Sequence, residues 1–378
     1  MASARASRDV LLYCASETDA DILYPTGFFA PDPFLFVQKG RTRILVMSDL
    51  ERDRARKQAR VERVLSWTAV CKRLAADGLP ATGAAVIARV LRDLGLRRVE
   101  VPRRFPLGLA IELDALGVRL DLVDDPFWPE REIKRPDEVR AITAALRAAE
   151  AGLEAGLEAL RSCRIGRDGY LMRDRRRFTA EDLRSAVNTR IMAEGCLPSH
   201  TICAPGDQAV DPHEEGHGPI RAHTPVVMDI FPRSEKTGYF GDLTRTVVRG
   251  RASDRLKEVY ALVHEGTRLG HRRIRDGVDG RAIHREIQAL FDARGYRTGV
   301  KDGRMQGFFH GTGHGLGLEI HEAPSISVRP SVLRAGHVVT VEPGLYYLGI
   351  GGVRIEDVAL VTARGSRNLT RVPKFLEL

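Results

Sequence analysis

The sequence predicts a two-domain protein: a smaller α/β domain over residues 1–127 and a larger α+β domain over residues 128–378, in which helices cover an antiparallel sheet. Three observations lead to this prediction. The chain has 378 residues, a length that favours two hydrophobic cores over one. The segment DDPFWPEREIKRPDE (124–138) holds three prolines and many charges, as domain boundaries often do. After it, amphipathic helical patterns alternate with strand-rich blocks.

The first domain is predicted to alternate strands and helices. A Lys39-Gly40 turn between two β-rich runs indicates a hairpin. In order, a strand, this hairpin, two helices and a strand are predicted at Val10–Ala15, Pro33–Ser48, Asp53–Asp77, Thr82–Leu94 and Arg97–Val101. The first histidine of the chain is His200, so we expect the chemistry to lie in the second domain.

The second domain is predicted to combine four helices with two strand blocks. Pro136 is suited to a first helical turn, and Thr179 with Asp182 forms a capping-box pattern. The helices are predicted at about Pro136–Arg161, Thr179–Glu194, Asp254–Arg275 and Arg281–Ala293, and the strand blocks at Val226–Val248 and Val338–Val361.

Composition narrows the partners and the compartment. The formal charge is +9, but the basic residues are spread along helices rather than interleaved with aromatic residues, which favours a solvated basic surface over a nucleic-acid site. The five cysteines form no CxxC pair, which argues against a disulfide framework or a structural zinc site. The start MASARASRDV lacks the apolar core of a signal peptide, and no run approaches the ~20 apolar residues of a membrane span. We expect a soluble cytoplasmic protein with no nucleic-acid or membrane partner.

Four carboxylates stand beside apolar strand runs, where an unpaired charge is costly: Asp229, Asp242, Glu342 and Glu356. The sequences RSEKTG and LGIGG lie midway within the first and second pair, so two antiparallel hairpins would make the acids of each pair cross-strand neighbours. Facing like charges repel unless a cation lies between them. The alternative is that the acids are exposed, or paired with Arg245 and Arg354. Two mirrored pairs favour a metal site.

The segment HGTGHGLGLEIHE (310–322) adds three histidines and four glycines. Glycine suits a backbone that approaches metal and substrate closely. Four carboxylates and one imidazole suit a pair of divalent ions better than one tetrahedral structural zinc. A two-metal site polarises a carbonyl and supplies a hydroxide at neutral pH, so the pattern predicts a hydrolase.

The motifs D…GDLTRT, HGTGHGLGLEIHE, VEPG and GVRIED, in this order, resemble those of the pita-bread dinuclear metallopeptidases, in the Xaa-Pro aminopeptidase and prolidase group. The first domain resembles that group's creatinase/prolidase-type N-terminal domain. The resemblance implies hydrolysis of the N-terminal Xaa-Pro bond of peptides or dipeptides through a dinuclear metal-bridged hydroxide. It also implies a homodimer and two divalent ions per chain, with Mn²⁺ expected first and Co²⁺, Fe²⁺ or Zn²⁺ as alternatives.

The resemblance assigns roles to particular residues. Asp242 and Glu356 would bridge the ions, and Glu342 would also shuttle a proton. His314 is implied as the imidazole ligand. The implied metal ligands are Asp229, Asp242, His314, Glu342 and Glu356.

Four further side chains belong to the implied site. His321 would stabilise the tetrahedral intermediate, His213 would contact the substrate, and Arg354 would pair with a site carboxylate. His310 is expected beside the ligands rather than among them. Three helical histidines are expected at the surface: His264, His271 and His284.

Two departures from the family pattern affect the pocket wall. The family has Asp-x-Gly at the first ligand, where this chain has Asp229-Ile230-Phe231, and the spacing from Asp229 to Asp242 is about two residues longer. Arg221 and His217 are candidates for contacting a dipeptide's carboxylate, against the alternative of solvated loop residues. Other functions left open are a different C–N hydrolase of creatinase or ectoine-hydrolase type, and a non-catalytic binding module.

Overall fold

The computed structural model describes residues 8–378. Most of the stretch MASARASRDV, on which the absence of a signal peptide was judged, lies outside the described residues. The chain divides into two compact units, the first ending at Arg131 and the second spanning Glu132–Leu378. The predicted boundary after residue 127 falls close to this division.

The first unit is a mixed sheet with helices on its faces. Its strands are β1 (Val10–Cys14), β2 (Phe34–Lys39), β3 (Thr42–Met47), β4 (Arg63–Ser66), β5 (Arg98–Pro102) and β6 (Arg119–Val123). Its helices are α1 (Ala20–Thr26), α2 (Arg52–Gln58), α3 (Trp67–Ala76), α4 (Gly83–Asp93) and α5 (Leu107–Ala115). The strand order is β4-β3-β2-β1-β5-β6, with parallel pairing at both ends.

One predicted element of this unit is wrong. The continuous helix expected over Asp53–Asp77 is two helices, α2 and α3, separated by strand β4. The β-branched and apolar residues of β4 pair in parallel with β3, with Leu65 opposite Val46. Ser66 then caps α3 by accepting a hydrogen bond from the backbone N–H of Ala69 at 3.1 Å. Tertiary pairing and a cap therefore override the helical periodicity.

The second unit contains two helix pairs. Its helices are α6 (Pro136–Ser162), α7 (Ala180–Ala193), α8 (Asp254–Arg273) and α9 (Gly280–Ala293). The capping box at the start of α7 is present, with reciprocal bonds between Thr179 and Asp182. Gly152 lets α6 approach α7 closely, since a Cβ at this position would lie 2.8 Å from Ile191. Among residues 8–378, no helix combines the length and apolar content that crossing a bilayer requires.

The strands of this unit are short and antiparallel. They are β7 (Arg164–Ile165), β8 (Leu171–Arg173), β9 (Arg176–Arg177), β10 (Cys196–Leu197), β11 (Ile202–Pro205), β12 (Pro225–Ile230), β13 (Arg233–Ser234), β14 (Leu243–Val248), β15 (Gly299–Lys301), β16 (Arg304–Gln306), β17 (Gly313–Gly315), β18 (Glu322–Ile326), β19 (Val338–Val341), β20 (Gly344–Tyr347), β21 (Gly351–Arg354), β22 (Asp357–Val361) and β23 (Ser366–Asn368).

Two of the sheets carry the strand blocks predicted from the sequence. One has the order β11-β12-β14 and the other β18-β17-β19-β22-β23. They meet where the backbone N–H of Glu356 donates to the carbonyl of Thr244 at 3.0 Å. Helices α6 and α7 share a hydrophobic core with β12 and β14, while α8 and α9 share a second core with β19 and β22. The predicted α+β class, with helices covering antiparallel strands, is confirmed.

The register of the strands tests the two proposed acid pairs. Val341 pairs with Asp357 and Gly344 with Arg354, so Glu342 and Glu356 occupy opposed positions at the break between the two ladders. The first pair differs from the prediction. Asp229 lies opposite Thr244, two residues beyond Asp242, so these acids are diagonal neighbours. Residues two apart on a strand share a face, and both carboxylates therefore still reach one side of the sheet.

One histidine expected at the surface is buried. His284 on α9 packs inside, and its Nδ1 lies 3.0 Å from the hydroxyl oxygen of Thr312. The carbonyl of Thr312 accepts a hydrogen bond from the backbone N–H of Glu342 at 2.7 Å. Helix α9 thus supports the segment that carries the predicted ligands, a contact that helical periodicity alone does not reveal.

Candidate metal centre

A cavity of about 820 Å³ in the second unit brings the sequence-predicted site residues together. Its lining includes all eight of them: His213, Asp229, Asp242, His314, His321, Glu342, Arg354 and Glu356. They come from different strands and loops, and positions up to 143 apart in sequence meet here. Arg221 and His217, the two candidates for contacting a dipeptide's carboxylate, lie outside this cavity. Arg221 stacks on the ring of Tyr170 at 4.5 Å, His217 contacts Glu214 at 3.4 Å, and neither lines the cavity.

Three donors form the tightest group at the cavity floor. Asp242, His314 and Glu356 each place one potential ligand atom within 4.8 Å of the other two. His314 Nε2 lies 3.7 Å from Asp242 Oδ2 and 3.4 Å from Glu342 Oε1, so Glu342 adjoins the group. These distances leave room for a cation between the donors.

The hydrogen bonds of His314 direct one ring nitrogen to the acids. Its Nδ1 lies 3.1 Å from the carbonyl of Gly315, which assigns the proton to this nitrogen and leaves a lone pair on Nε2. Burial and then the neighbouring His321 lower the pKa of His314 to about 3, so the ring is neutral. A neutral Nε2 facing carboxylate oxygens places acceptor against acceptor. A cation relieves this repulsion, and a backbone-bonded imidazole is the usual form of a metal-ligating histidine.

The carboxylates show the same need for a cation. Burial, and then repulsion from Asp229 and Glu342, raises the pKa of Asp242 well above its usual range. Burial, and then Asp242, does the same for Glu356. Buried like charges are stable only when protonated, paired or bound to metal. The donor set therefore fits divalent cations.

Asp229 is held differently from the other acids. Its Oδ2 accepts a hydrogen bond from the buried guanidinium of Arg354 at 2.6 Å, as expected for an arginine paired with a site carboxylate. Arg354 also donates to the hydroxyl of Tyr346 at 2.7 Å and approaches Thr244 Oγ1 at 3.3 Å. This network fixes the orientation of Asp229, which also lines the cavity.

His310 lies beside the predicted ligands, with both ring nitrogens facing protein atoms. Its Nε2 lies 2.9 Å from the hydroxyl of Tyr346, and its Nδ1 lies 2.7 Å from the carbonyl of Gly311. Burial, and then Arg354, lowers its pKa to about 3. Because both ring nitrogens bond to protein atoms, His310 contributes a ring face to the cavity wall rather than a free lone pair.

His321 and His213 complete the histidine cluster. The rings of His321 and His314 stand edge to face with centroids 4.3 Å apart. Burial, and then His213, lowers the pKa of His321, so its neutral ring has an N–H available as a donor. His213 is exposed at the side of the cavity. Both imidazoles are placed to contact a molecule that lies in the cavity.

Glycine near the site serves backbone packing. A Cβ at Gly313 would lie 2.0 Å from the carbonyl oxygen of Thr340, and one at Gly241 would lie 2.4 Å from the backbone of Ala145 on α6. Gly313 therefore lets β17 approach β19, and Gly241 lets the chain before Asp242 approach the helix. At Gly313, the close approach predicted toward metal and substrate is an approach to neighbouring backbone.

The sequence reasoning did not identify every residue of the cavity lining. The cavity lining also includes His200, Asp211 and Glu215 at the open side, and the apolar side chains of Phe309 and Ile320. The acids flanking His213 in VDPHEEG were a usable signal for part of this group. No local pattern pointed to His200.

Carboxylates presented by paired strands, together with one neutral imidazole, are typical of a metal-dependent hydrolase. Comparison with known proteins agrees with this class. Residues 140–363 match the model of metallopeptidase family M24. The chain belongs to this family, and it has the family's pita-bread fold and metallopeptidase character.

Relatives of this chain include Xaa-Pro dipeptidases and uncharacterized peptidases. An uncharacterized peptidase of Bacillus subtilis is 45% identical over 140 residues, which span 37% of each chain. The Xaa-Pro dipeptidase of Pyrococcus furiosus is 31% identical over 260 residues, 67% of each chain. The solved Xaa-Pro dipeptidase of Bacillus anthracis superposes with a TM-score of 0.80 at 26% identity, covering 98% of this chain and 95% of that one.

Proposed function

We propose that this protein is a metal-dependent exopeptidase that hydrolyses the N-terminal Xaa-Pro bond of peptides or dipeptides. The observation that carries the proposal is the convergence of four carboxylates and the neutral His314 at the floor of one cavity. The names of the relatives from Pyrococcus furiosus and Bacillus anthracis support the choice of Xaa-Pro substrates.

We propose two divalent ions per chain, with Mn²⁺ as the first choice. The ligands would be Asp229, Asp242, His314, Glu342 and Glu356. When bound, such ions polarise a carbonyl and make water nucleophilic at neutral pH. We assign to the carboxylate of Glu342 the transfer of a proton during hydrolysis. Its Oε1 lies 3.3 Å from Thr340 Oγ1 and 3.4 Å from His314 Nε2, which holds it at the edge of the acidic group.

The histidines of the cavity bind and orient the substrate. His321 donates an N–H to the oxygen of the scissile carbonyl as negative charge develops there. His213, at the exposed side, donates to the next carbonyl of the peptide. The acidic floor attracts the free amine of the first residue, which directs the enzyme to N-terminal bonds.

The apolar part of the cavity suits a proline ring. Phe231, Phe309 and Ile320 line it, and the ring of Phe309 packs at a tilt of 50° against Tyr346 with centroids 5.4 Å apart. Prolyl bonds lack an N–H, so a site that packs the ring and grips the carbonyl has no need of that donor. Phe231 stands where the family has glycine, and Ile230 is buried in the sheet opposite Leu243. The substitution thus adds an aromatic wall to the substrate cavity.

The broader assignments follow from the same family membership. We propose a creatinase/prolidase-like domain over residues 1–127, a catalytic domain over 128–378, a homodimer, and a cytoplasmic location. Equilibrium sedimentation of the full chain tests the dimer.

Turnover of matched substrates tests the function. The metal-loaded protein is expected to cleave Ala-Pro-amide much faster than Ala-Ala-amide, and N-acetylation of Ala-Pro-amide is expected to abolish cleavage. Equal kcat/KM for the proline and alanine compounds contradicts the proline preference, and undiminished cleavage of the acetylated compound contradicts the exopeptidase assignment. Absence of any peptide hydrolysis supports the binding-module alternative.

A further inference from the structure

The cavity has a buried floor and an exposed rim. At the floor, the side chains of Asp242 and Arg354 are 5% and 4% exposed. At the rim, the side chains of His200 and Glu215 are 79% and 42% exposed, and Asp211 is also exposed. All five residues line the same cavity. A peptide with its first residue against the floor must therefore leave past the rim.

The rim is built on anchored backbone. The carbonyl of Glu215 accepts hydrogen bonds from the backbone N–H of Cys203 at 2.9 Å and from the guanidinium of Arg184 at 2.7 Å. His200 has a φ of 50°, in the left-handed region that few side chains other than Asn, Asp and His adopt. Its Nδ1 lies 2.8 Å from Glu215 Oε1, which holds the two side chains together beside the opening.

Two of the rim side chains, Asp211 and Glu215, are carboxylates. The imidazole of His213 lies between them in sequence, and the nearby guanidinium of Arg184 donates to the backbone carbonyls of Glu215 and Gly216 and does not line the cavity. Glu215 contacts the imidazole of His200, and no arginine or lysine of residues 8–378 forms an ion pair with it. Within residues 8–378, the side chain of Asp211 has no hydrogen bond or ion pair. Arg354, a cation of the lining, is engaged with Asp229 and Tyr346 at the floor. A substrate carboxylate that approaches the rim is therefore repelled by Asp211 and Glu215.

We propose that Asp211 and Glu215 select against a free carboxylate at the second substrate residue, so that the enzyme prefers peptides of three or more residues to dipeptides. This inference rests on the proposed function. In a dipeptide the terminal carboxylate lies one residue from the scissile bond, about 3–4 Å of chain. In a longer peptide the same position is a neutral amide.

The test compares Ala-Pro with Ala-Pro-amide, which have the same size and differ in one charge. We expect the metal-loaded wild-type protein to give a kcat/KM about tenfold higher for the amide, and we expect added salt to reduce this ratio. Asp211→Asn and Glu215→Gln should each lower the ratio severalfold. Glu214→Gln is the matched control, because this carboxylate accepts from the backbone N–H of Gly216 and does not line the cavity.

Three results overturn the inference. One is a wild-type ratio near one or below. The second is a ratio that stays unchanged in Asp211→Asn and Glu215→Gln. The third is an equal fall in the control variant Glu214→Gln. Cleavage of both compounds at equal kcat/KM contradicts only this preference, whereas cleavage of neither contradicts the proposed function as well.

Discussion

Replacement of Glu342 by glutamine should stabilise the metal-free protein, although it removes a proposed metal ligand. Burial raises the pKa of Glu342 from 4.5 to about 7, with Asp229 acting in the same direction and Arg354 opposing it. A carboxyl group with a raised pKa in the folded state destabilises the fold as the pH rises above its unfolded value. The loss begins above pH 4.5 and is complete above pH 7.

The size of the effect follows from the two pKa values. The rise from 4.5 to about 7 corresponds to about 3 kcal/mol at pH 8 and less than about 1 kcal/mol at pH 5. For a domain of this size, about 3 kcal/mol amounts to roughly 6–10 °C in Tm. We therefore expect Glu342→Gln to raise Tm in chelator clearly at pH 8 and little at pH 5.

Thermal unfolding in chelator measures this difference. Wild type and variant are compared at the same pH. The pKa values of Asp242 and Glu356 should also fall in the variant, because Glu342 raises both, and this change acts in the same stabilising direction. Glu158→Gln on the exposed face of α6 is the control and should change Tm by no more than about 1 °C at either pH. With Mn²⁺ added, the order should reverse, because wild type gains more from binding. A variant that is less stable than wild type in chelator at pH 8 refutes the reasoning.

Three further predictions concern the metal, the histidines and the support behind the site. After loading with Mn²⁺, elemental analysis should find about two ions per chain, and chelation should abolish peptidase activity reversibly. His321→Ala should lower kcat by roughly 10²-fold with metal content unchanged, whereas His314→Ala should lose metal; the reverse pattern would exchange their roles. Asp357→Asn should lower the free energy of unfolding by about 3 kcal/mol in denaturant titrations, because this buried carboxylate bonds Arg245 at 2.9 Å and Lys374 at 2.7 Å. A loss below about 1 kcal/mol would show that these ion pairs do not stabilise the fold.

The carboxylates were visible in the sequence because they break a local rule. An acid beside a buried apolar strand is costly, so each of the four needed an explanation, and one cation site explains all of them. For Glu342 and Glu356 the hairpin argument gave the register as well, since the LGIGG turn is short and central. For Asp229 and Asp242 the longer connection shifts the pairing, and the residue opposite Asp229 is Thr244. The length of the turn sets the register of a hairpin, and the alternation of apolar and polar residues does not show how many residues the turn contains.

The rim was beyond sequence reasoning for a different reason. His200 and Glu215 are 15 residues apart in sequence, and they meet only because the intervening chain folds back beside β11. His200 also adopts a left-handed backbone angle, which no hydrophobic period encodes. The same limit explains His284, where the helix period correctly placed α9 but did not show that this imidazole faces Thr312.

The charge of the cluster supports the proposal of two ions rather than one. Four carboxylates and the guanidinium of Arg354 leave three negative charges, and the low pKa of His314 means that its ring adds none. One divalent ion would leave the buried floor with a net negative charge, which would repel the negative charge that develops on the oxygen of a peptide carbonyl. Two divalent ions, as we propose, would leave one positive charge there, and the hydroxide nucleophile would bring the floor to neutral, so that it no longer repels the negative charge that develops on oxygen. With two bound ions, as we propose, the charge of Arg354 would therefore help to keep the floor from being negative as the reaction proceeds.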